Sequence, residues 1–570
     1  MNVDILVKDV HVYNSYFKKF IKGNVAIVDE SFLYIGKRGQ ETFIAKQVID
    51  GNGKYMVPGL IDIHLHIEST MVTPATFSYG IIKNGTTTIV PEPHEIANVF
   101  GIAGMKEMIR ASKDCIADMF FAIPSSVPAT SMETTGGSIE INDIDELMET
   151  ENIACLGEIM NFADVISDPD CKTNQILAHV RKRYPNLIIE GHVPRLLDLD
   201  LQKIVYAGID SDHTHQTVEG MEERIAAGMF IEIQEKSMTK EVMEYLMTQQ
   251  VDEHFCFVTD DVMTDYFVEN GHLNHILKKA IEMGMAPEKA IYACTYTPAK
   301  RMQLSDRGAI APGKLADFLL VSHLETFDIE QVYKNGRLVY DAEEPYIQAK
   351  KDKQFPTAYY ESVKLDPLGK EDFLVPIEYE NGLYSCRIIN VKDGSTFTRE
   401  THEQLRVENG QLCWQESPYG LIATFERYGK NGNRAYGLIN GDILKRGAVA
   451  TTYSHDNHNL LVVGRNEEDM LIAANEVIKN QGGICCVENG QILSMLPLAV
   501  GGILSEEPLA DVAKQVEHTT NTLKSLGYKH YNIIMSLSTL SLPVSPALKL
   551  TDHGLIDVNE GKVRSLIVHE

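Results

Sequence analysis

Between Pro58 and about Ala311 the chain carries short, nearly unbroken apolar runs separated by stretches of helical periodicity. The runs are GLIDIHLH, TTTIVPE, ADMFFAIP, IACLGEI, LIIEGH, AGIDSDH, GMFIEIQ and CFVTDD. Strands buried on both faces lack strict polar alternation, and these runs lack it. From Ile63 to Thr259 they recur roughly every 28 residues, close to the ~30 that a strand–helix unit needs. Eight such units predict an α/β chain with a (β/α)8 barrel over residues 58–311. An open doubly wound sheet fits less well, because no glycine-rich dinucleotide fingerprint follows the first run. Helices are expected in DCKTNQILAHVRKRY, after Ser167 and Asp168, and in NHILKKAIEMG, which ends at Gly284.

The flanks have another rhythm. DILVKDVHVY and GNVAIVDESFLYIG read as strands, as do ADFLLVS and QVYKNGRLVY beyond Pro312-Gly313, where Asn335-Gly336 is a hairpin signal. A composite β domain is therefore expected from residues 1–57 and 312–350, with two independent small sheets as the alternative. Residues 351–570 hold the strand-like GAVATTYS and NLLVVG and a helix in EEDMLIAANEVIKNQ, which predicts an α+β domain. The aperiodic stretch 352–373 reads as a linker crossing the surface. The SHDNHN stretch, Ser454 to Asn459, follows an apolar run and reads either as a loop reaching over the barrel mouth, by which this domain would cover the active site, or as a hydrogen-bonded interdomain or subunit contact.

Composition narrows the class. With 44% hydrophobic and 23% charged residues the chain reads as an ordinary globular protein. The formal charge of −28 disfavours phosphate backbones, so no nucleic-acid partner is expected. Nine scattered cysteines without a CxxC pair fit a reducing, cytoplasmic location, and neither a secretory leader nor an apolar run long enough for a membrane span is evident.

The chemistry lies where the runs end. In a barrel enzyme the strands' C-terminal ends build the site. The first run ends in His64-Leu65-His66, the fourth in Glu158, the fifth in His192, the sixth in His213 and the eighth in Asp260; the second runs into Glu92 and His94. With a side-chain period of two, His64 and His66 leave the same strand face and can grip one divalent cation. An HxH in an exposed hairpin means little, but here it follows the buried-looking VPGLIDI, where unpaired imidazoles are costly. Glu158 closes an almost wholly apolar run; a metal bridge or an internal salt bridge would compensate its charge. His192 and His213 supply nitrogen ligands for a second cation, with His215 an alternative to His213. Asp260 and Asp261 should point in opposite directions if their strand persists, and Asp260 is the better placed to move a proton.

These residues, with the stretches VPGLIDIHLHIESTMVTP, PHEIANVFG, GHVPRL, GIDSDHT, VTDD, SHDNHN and SLPVSPALKLTDHGLIDV, resemble the metal-dependent amidohydrolase superfamily, most closely its bacterial adenine deaminases. The likeness spans nearly the whole chain. It implies hydrolytic deamination of adenine to hypoxanthine and ammonia by a hydroxide activated at a binuclear centre of Mn2+ or Fe2+, in a homodimer or higher homo-oligomer. By this resemblance His64 and His66 would bind one metal, Glu158 would bridge in place of the carbamylated lysine of many relatives, and His192 and His213 would bind the other. Asp260 would be ligand and proton carrier, and Glu158 would relay a proton to the ring. Glu68, Glu92, His94, His455, Asp456 and His458 would surround the metals or touch substrate. Two departures stand out: Glu92 occupies a place where the family commonly has aspartate, and SHDNHN differs at one position from a frequent SHDSHN-like form.

Two other functions compete. Another amidohydrolase reaction, on a different base or a cyclic amide, would use the same centre; ammonia release across candidate substrates separates them. A non-catalytic metal-binding scaffold should have lost a strand-end ligand, and none is missing. The polynucleotide deaminases use HxE with PCxxC, which is absent.

Overall fold

In the computed structural model, residues 1–150, 152–348 and 353–568 are described. The fold is α/β, with mixed β-sheets and flanking helices. The expected boundary between residues 350 and 351 lies outside the described residues.

The apolar runs form short parallel strands in three groups: Leu60–Leu65, Thr86–Pro91 and Asp118–Met119; then Phe121–Ile123, Ile153–Ile159 and Ile188–Gly191; then Ser211–Asp212, Phe230–Ile233 and Phe255–Phe257. Backbone hydrogen bonds link the groups. Phe120 N donates to Ile89 O at 3.0 Å while Phe121 N donates to Asn152 O at 2.6 Å, and Asp210 N donates to Ile189 O at 3.1 Å. Asp260 N donates to His64 O at 3.1 Å, where Leu65 and Asp260 form a parallel bridge between the last strand and the first. The strands' apolar side chains divide between two clusters, as burial on both faces requires. Ile89, Leu156, Ile231 and Phe257 pack with helical residues such as Met108, Ile176 and Leu246, whereas Ile61, Val90, Ala122, Cys155 and Cys256 pack among themselves.

The two expected helices are Lys172–Arg183, whose first turn is closed by the Cys171 thiol accepting from Asn174 N, and Leu273–Glu282, followed by Gly284 at φ 101°. The flanking strands share one eight-stranded sheet in the order Arg337–Asp341, Ile329–Lys334, Phe318–Val321, Tyr55–Pro58, Asn2–Asn14, Lys19–Val28 and Ser31–Gly36, with Ile44–Asp50 also pairing with Asn2–Asn14. Asn335 and Gly336, at φ 50° and 73°, make its expected tight hairpin.

Beyond residue 353 lies a nine-stranded sheet running from Gln411–Leu412 at one edge to Gln491–Pro497 at the other. Alternation along its strands splits its side chains. Leu421, Ala448, Val462 and Cys485 pack with Met470 and Ala473 of the helix Glu467–Lys479, while Ile422, Val449, Val463 and Cys486 join the cluster that holds the helical layer of the parallel strands. The adjacent Cys485 and Cys486 thus face opposite ways, and no disulfide joins any of the nine cysteines. The stretch 353–373 runs over the surface as expected, with Lys353, Pro356, Lys364 and Asp366 exposed, but it is pinned at Phe355, Tyr359 and Phe373, which are buried, and the Tyr359 hydroxyl donates to Ala103 O at 2.7 Å. Its aromatic residues give it apolar area to bury, which outweighs its lack of periodicity. No helix among the described residues is long and apolar enough to cross a membrane.

Candidate metal centre

The strand ends converge. His64 lies within Leu60–Leu65 and His66 just beyond it; Glu158 is in Ile153–Ile159, and His192 and His213 each directly follow a strand. Asp260 stands three residues past Phe255–Phe257 at φ 58°. Because this turn is left-handed, strand alternation no longer separates Asp260 from Asp261: His66, Asp260 and Asp261 each bring a ligand-type atom within 4.8 Å of the others. Asp261 is nevertheless exposed and takes a hydrogen bond from the Ser69 hydroxyl, whereas Asp260 is buried.

Glu158 is the hub. Its Oε1 lies 3.5 Å from His66 Nε2, and its Oε2 lies 2.8 Å from His192 Nδ1 and 3.2 Å from His213 Nε2. Asp260 Oδ1 lies 3.5 Å from His66 Nε2 and 3.7 Å from His64 Nε2, with Oδ2 3.4 Å from Lys236 Nζ. His192 Nδ1 and His213 Nε2 are 3.1 Å apart. The carboxylate thus offers one oxygen to each of two histidine groups. The histidines and carboxylates are all buried except the half-buried His192, while Lys236 is exposed.

The electrostatics favour charged carboxylates. Burial works against ionisation of Glu158, but the His213 and His192 imidazoles overcome it and hold the carboxyl well below the usual range. Asp260 is likewise held low against burial, by the Lys236 ammonium and then by His64 and His66. Glu92 behaves oppositely: burial, then the Glu158 charge, push it up to about 8.

The donor set fits divalent cations. His66 Nδ1 lies 3.0 Å from the Glu92 carbonyl, which can only accept, so Nδ1 carries a proton and Nε2 is the ring nitrogen turned toward Glu158 and Asp260. His64 Nε2 and His213 Nδ1 are buried with no hydrogen-bond partner. Such groups are costly unless something electrophilic meets them. The sets His64, His66, Glu158 and Glu158, His192, His213 each gather their ligand-type atoms within 4.8 Å, consistent with one or two metal sites.

The other expected residues surround this centre. Glu92 Oε2 accepts from Glu158 N at 2.6 Å, so the longer side chain braces the hub's backbone. Gly157 is required there, since a Cβ would fall 2.4 Å from the Glu92 carboxyl carbon. Glu68 is buried and accepts from Ile96 N at 3.3 Å. His94 Nδ1 stands 4.0 Å from Glu158 Oε1, while its Nε2 turns to Glu95 at 3.2 Å. His455, Asp456 and His458 are buried, but both histidines face Glu95 rather than Glu158. His215 is exposed, so His213 is the one the cluster gathers.

Three residues escaped the sequence reading. Glu95 is the partner of the SHDNHN histidines. Lys236 reaches Asp260 from the short turn Glu235–Ser237. Glu232, in Phe230–Ile233, comes within 4.8 Å of His64 and His213 by its ligand-type atoms. A glutamate inside the apolar run GMFIEIQ was the available signal for the last.

The model of the Amidohydrolase family matches residues 55–339, and that of the Adenine deaminase C-terminal domain matches residues 395–562. Among curated relatives, "Adenine deaminase 2" of Shouchella clausii is 63% identical over 100% of both chains. "Adenine deaminase" of Clostridium perfringens is 49% identical over 99% of this chain and 100% of its own, and that of Lactobacillus delbrueckii subsp. bulgaricus 44% identical over 98% of each. The chain belongs to the adenine deaminase family within the amidohydrolases.

Proposed function

We propose that the chain hydrolyses adenine to hypoxanthine and ammonia at a centre of two divalent ions, Mn2+ or Fe2+, held at one mouth of a closed (β/α)8 barrel. The observation that carries this reading is Glu158, whose two oxygens face His66 on one side and His192 with His213 on the other. The hydrogen bonds from strand to strand, ending at the Leu65–Asp260 bridge, support ring closure. The relatives' shared name supports the substrate. The division into residues 1–57 with 312–350, 58–311 and 351–570 belongs to the same reading, as do a homo-oligomeric state, a cytoplasmic location and the absence of nucleic-acid or membrane partners.

In this reading His64, His66 and Asp260 would hold one ion, His192 and His213 the other, and Glu158 would serve both. Bound there, the ions supply a water activated for attack at neutral pH. The residues manage its protons. Adding water across N1=C6 of adenine forms a C6–O bond and leaves a proton for N1, which Glu158 relays. Asp260, kept ionised beside Lys236, takes the remaining hydroxyl proton and gives it to the exocyclic amine. The C6–N bond then breaks, C6=O forms, and ammonia leaves. Glu92 braces the backbone of Glu158 by accepting from its N–H.

An ammonia-release assay over adenine, guanine, cytosine, adenosine and a dihydropyrimidine tests the assignment. Adenine should dominate; a larger kcat/KM for any other substrate replaces it. Metal analysis of anaerobically purified protein, coupled to reconstitution with Mn2+ or Fe2+, tests the ion.

A further inference from the structure

A second cluster of histidine and carboxylate stands beside the first, where the SHDNHN segment meets the helix His94–Phe100. Its hub is Glu95. His455 Nε2 lies 2.7 Å from Glu95 Oε1, His458 Nε2 contacts Glu95 Oε2, and His94 Nε2 lies 3.2 Å from Oε1. All four side chains are more than nine-tenths buried.

Protons account for only part of this geometry: His458 Nε2 and Glu95 Oε2 are hydrogen-bonded, whereas His455 Nε2 is not. His455 Nδ1 lies 2.9 Å from the Ser538 hydroxyl, which itself donates to Met535 O at 3.1 Å and is therefore free to accept from Nδ1. That fixes the ring with its Nε2 toward Glu95, in the arrangement by which an outer partner orients a metal-binding histidine. Nε2 nevertheless makes no hydrogen bond, although an oxygen stands at 2.7 Å: an N–H there would point past it. His458 Nδ1 and Asp456 Oδ2 are also buried without partners. His458 sits at φ 51°, a left-handed conformation that costs a non-glycine residue free energy and is held here by Arg427 Nε donating to its carbonyl. Two imidazoles are therefore aimed at one carboxylate from a constrained turn.

We propose that Glu95, His455 and His458 bind a further divalent transition-metal ion, with His94 beside them, separate from the ions grouped around Glu158. Two imidazole nitrogens and a carboxylate suit such an ion, and its charge would compensate the buried Glu95 and Asp456. The ion would tie the chain near residue 95 to the chain near residue 457, linking the parallel-strand region to the C-terminal sheet.

The test counts metal on the intact holoenzyme. After loading with Mn2+ and removal of loosely bound ion, His455→Gln and His458→Gln should each hold one equivalent per chain less than the unmodified protein, whatever number the Glu158 group retains. Mn2+ in an isolated site also gives a six-line electron paramagnetic resonance signal, which the same variants should lose. Equal metal content in the folded variants and the unmodified protein overturns the proposal and leaves an imidazolium–carboxylate network. Should either variant fail to fold, anomalous diffraction at the manganese edge from the unmodified protein decides: a peak among Glu95, His455 and His458 supports the site, and its absence overturns it. Loss of the Glu158 ions in Glu158→Gln with this peak retained would separate the two sites.

Discussion

The Glu158 and Glu95 clusters use the same residue types and are built in different ways. Glu158 collects side chains from neighbouring strand ends, each fixed by its own backbone ladder. Glu95 collects His455 and His458 from a turn some 360 residues further along the chain, held by Arg427. The first cluster opens toward the half-buried His192 and the exposed Lys236, while the second is shut between two packed regions. A reaction needs access as well as ligands, and a structural site is closed. The difference teaches that a histidine–carboxylate motif gains its role from what surrounds it.

The strongest way to break that contrast is Asp260→Asn. The change removes the proton carrier but keeps the shape, so kcat should fall by about a thousandfold or more with the fold intact. A near-normal kcat with adenine would deny Asp260 that role. Next, Glu158→Gln should lower kcat by about a hundredfold and reduce bound metal as well, because the amide cannot offer each side an anionic oxygen. Full activity with two tightly held ions would reject the bridge.

Arg427→Met probes the support of the other cluster. This fully buried guanidinium donates to His458 O, to the Ser362 hydroxyl at 2.8 Å and to Gly501 O at 2.7 Å. Losing it strands those acceptors and should cost about 2–4 kcal/mol in denaturant unfolding, while the Glu158 group keeps its metal. If stability were unchanged, the turn would not depend on Arg427. The smallest effect belongs to His215→Ala: exposed and outside the cluster, it should alter kcat/KM less than about twofold. A large loss would mean that His215 had been passed over wrongly in favour of His213.

Much of this was legible in the sequence because both signals are local. Unbroken apolar runs with a polar residue at the end mark a parallel strand and its reactive tip, and the runs carrying His64, His66, Glu158 and His213 lie where that pattern puts them. What could not be read were pairings set by distant packing. Glu95 follows His94 without distinction, and only its approach to His455 and His458 marks it. Lys236 lies in a short turn whose direction no periodicity encodes. The relation of Asp260 to Asp261 was read from strand alternation, which ends where the backbone turns left-handed. The anchors of the surface stretch 353–373 could not be read because they depend on Ala103 and other residues far away in the chain.

The packing cluster that runs from the parallel-strand helices into one face of the nine-stranded sheet has a practical consequence. Two polypeptides corresponding to the chain before and after this junction would each present a broad apolar face to water when made alone. Produced together, they should assemble into an active complex; produced separately, they should aggregate. The molecule is thus a poor donor of isolated modules and a good candidate for fragment complementation.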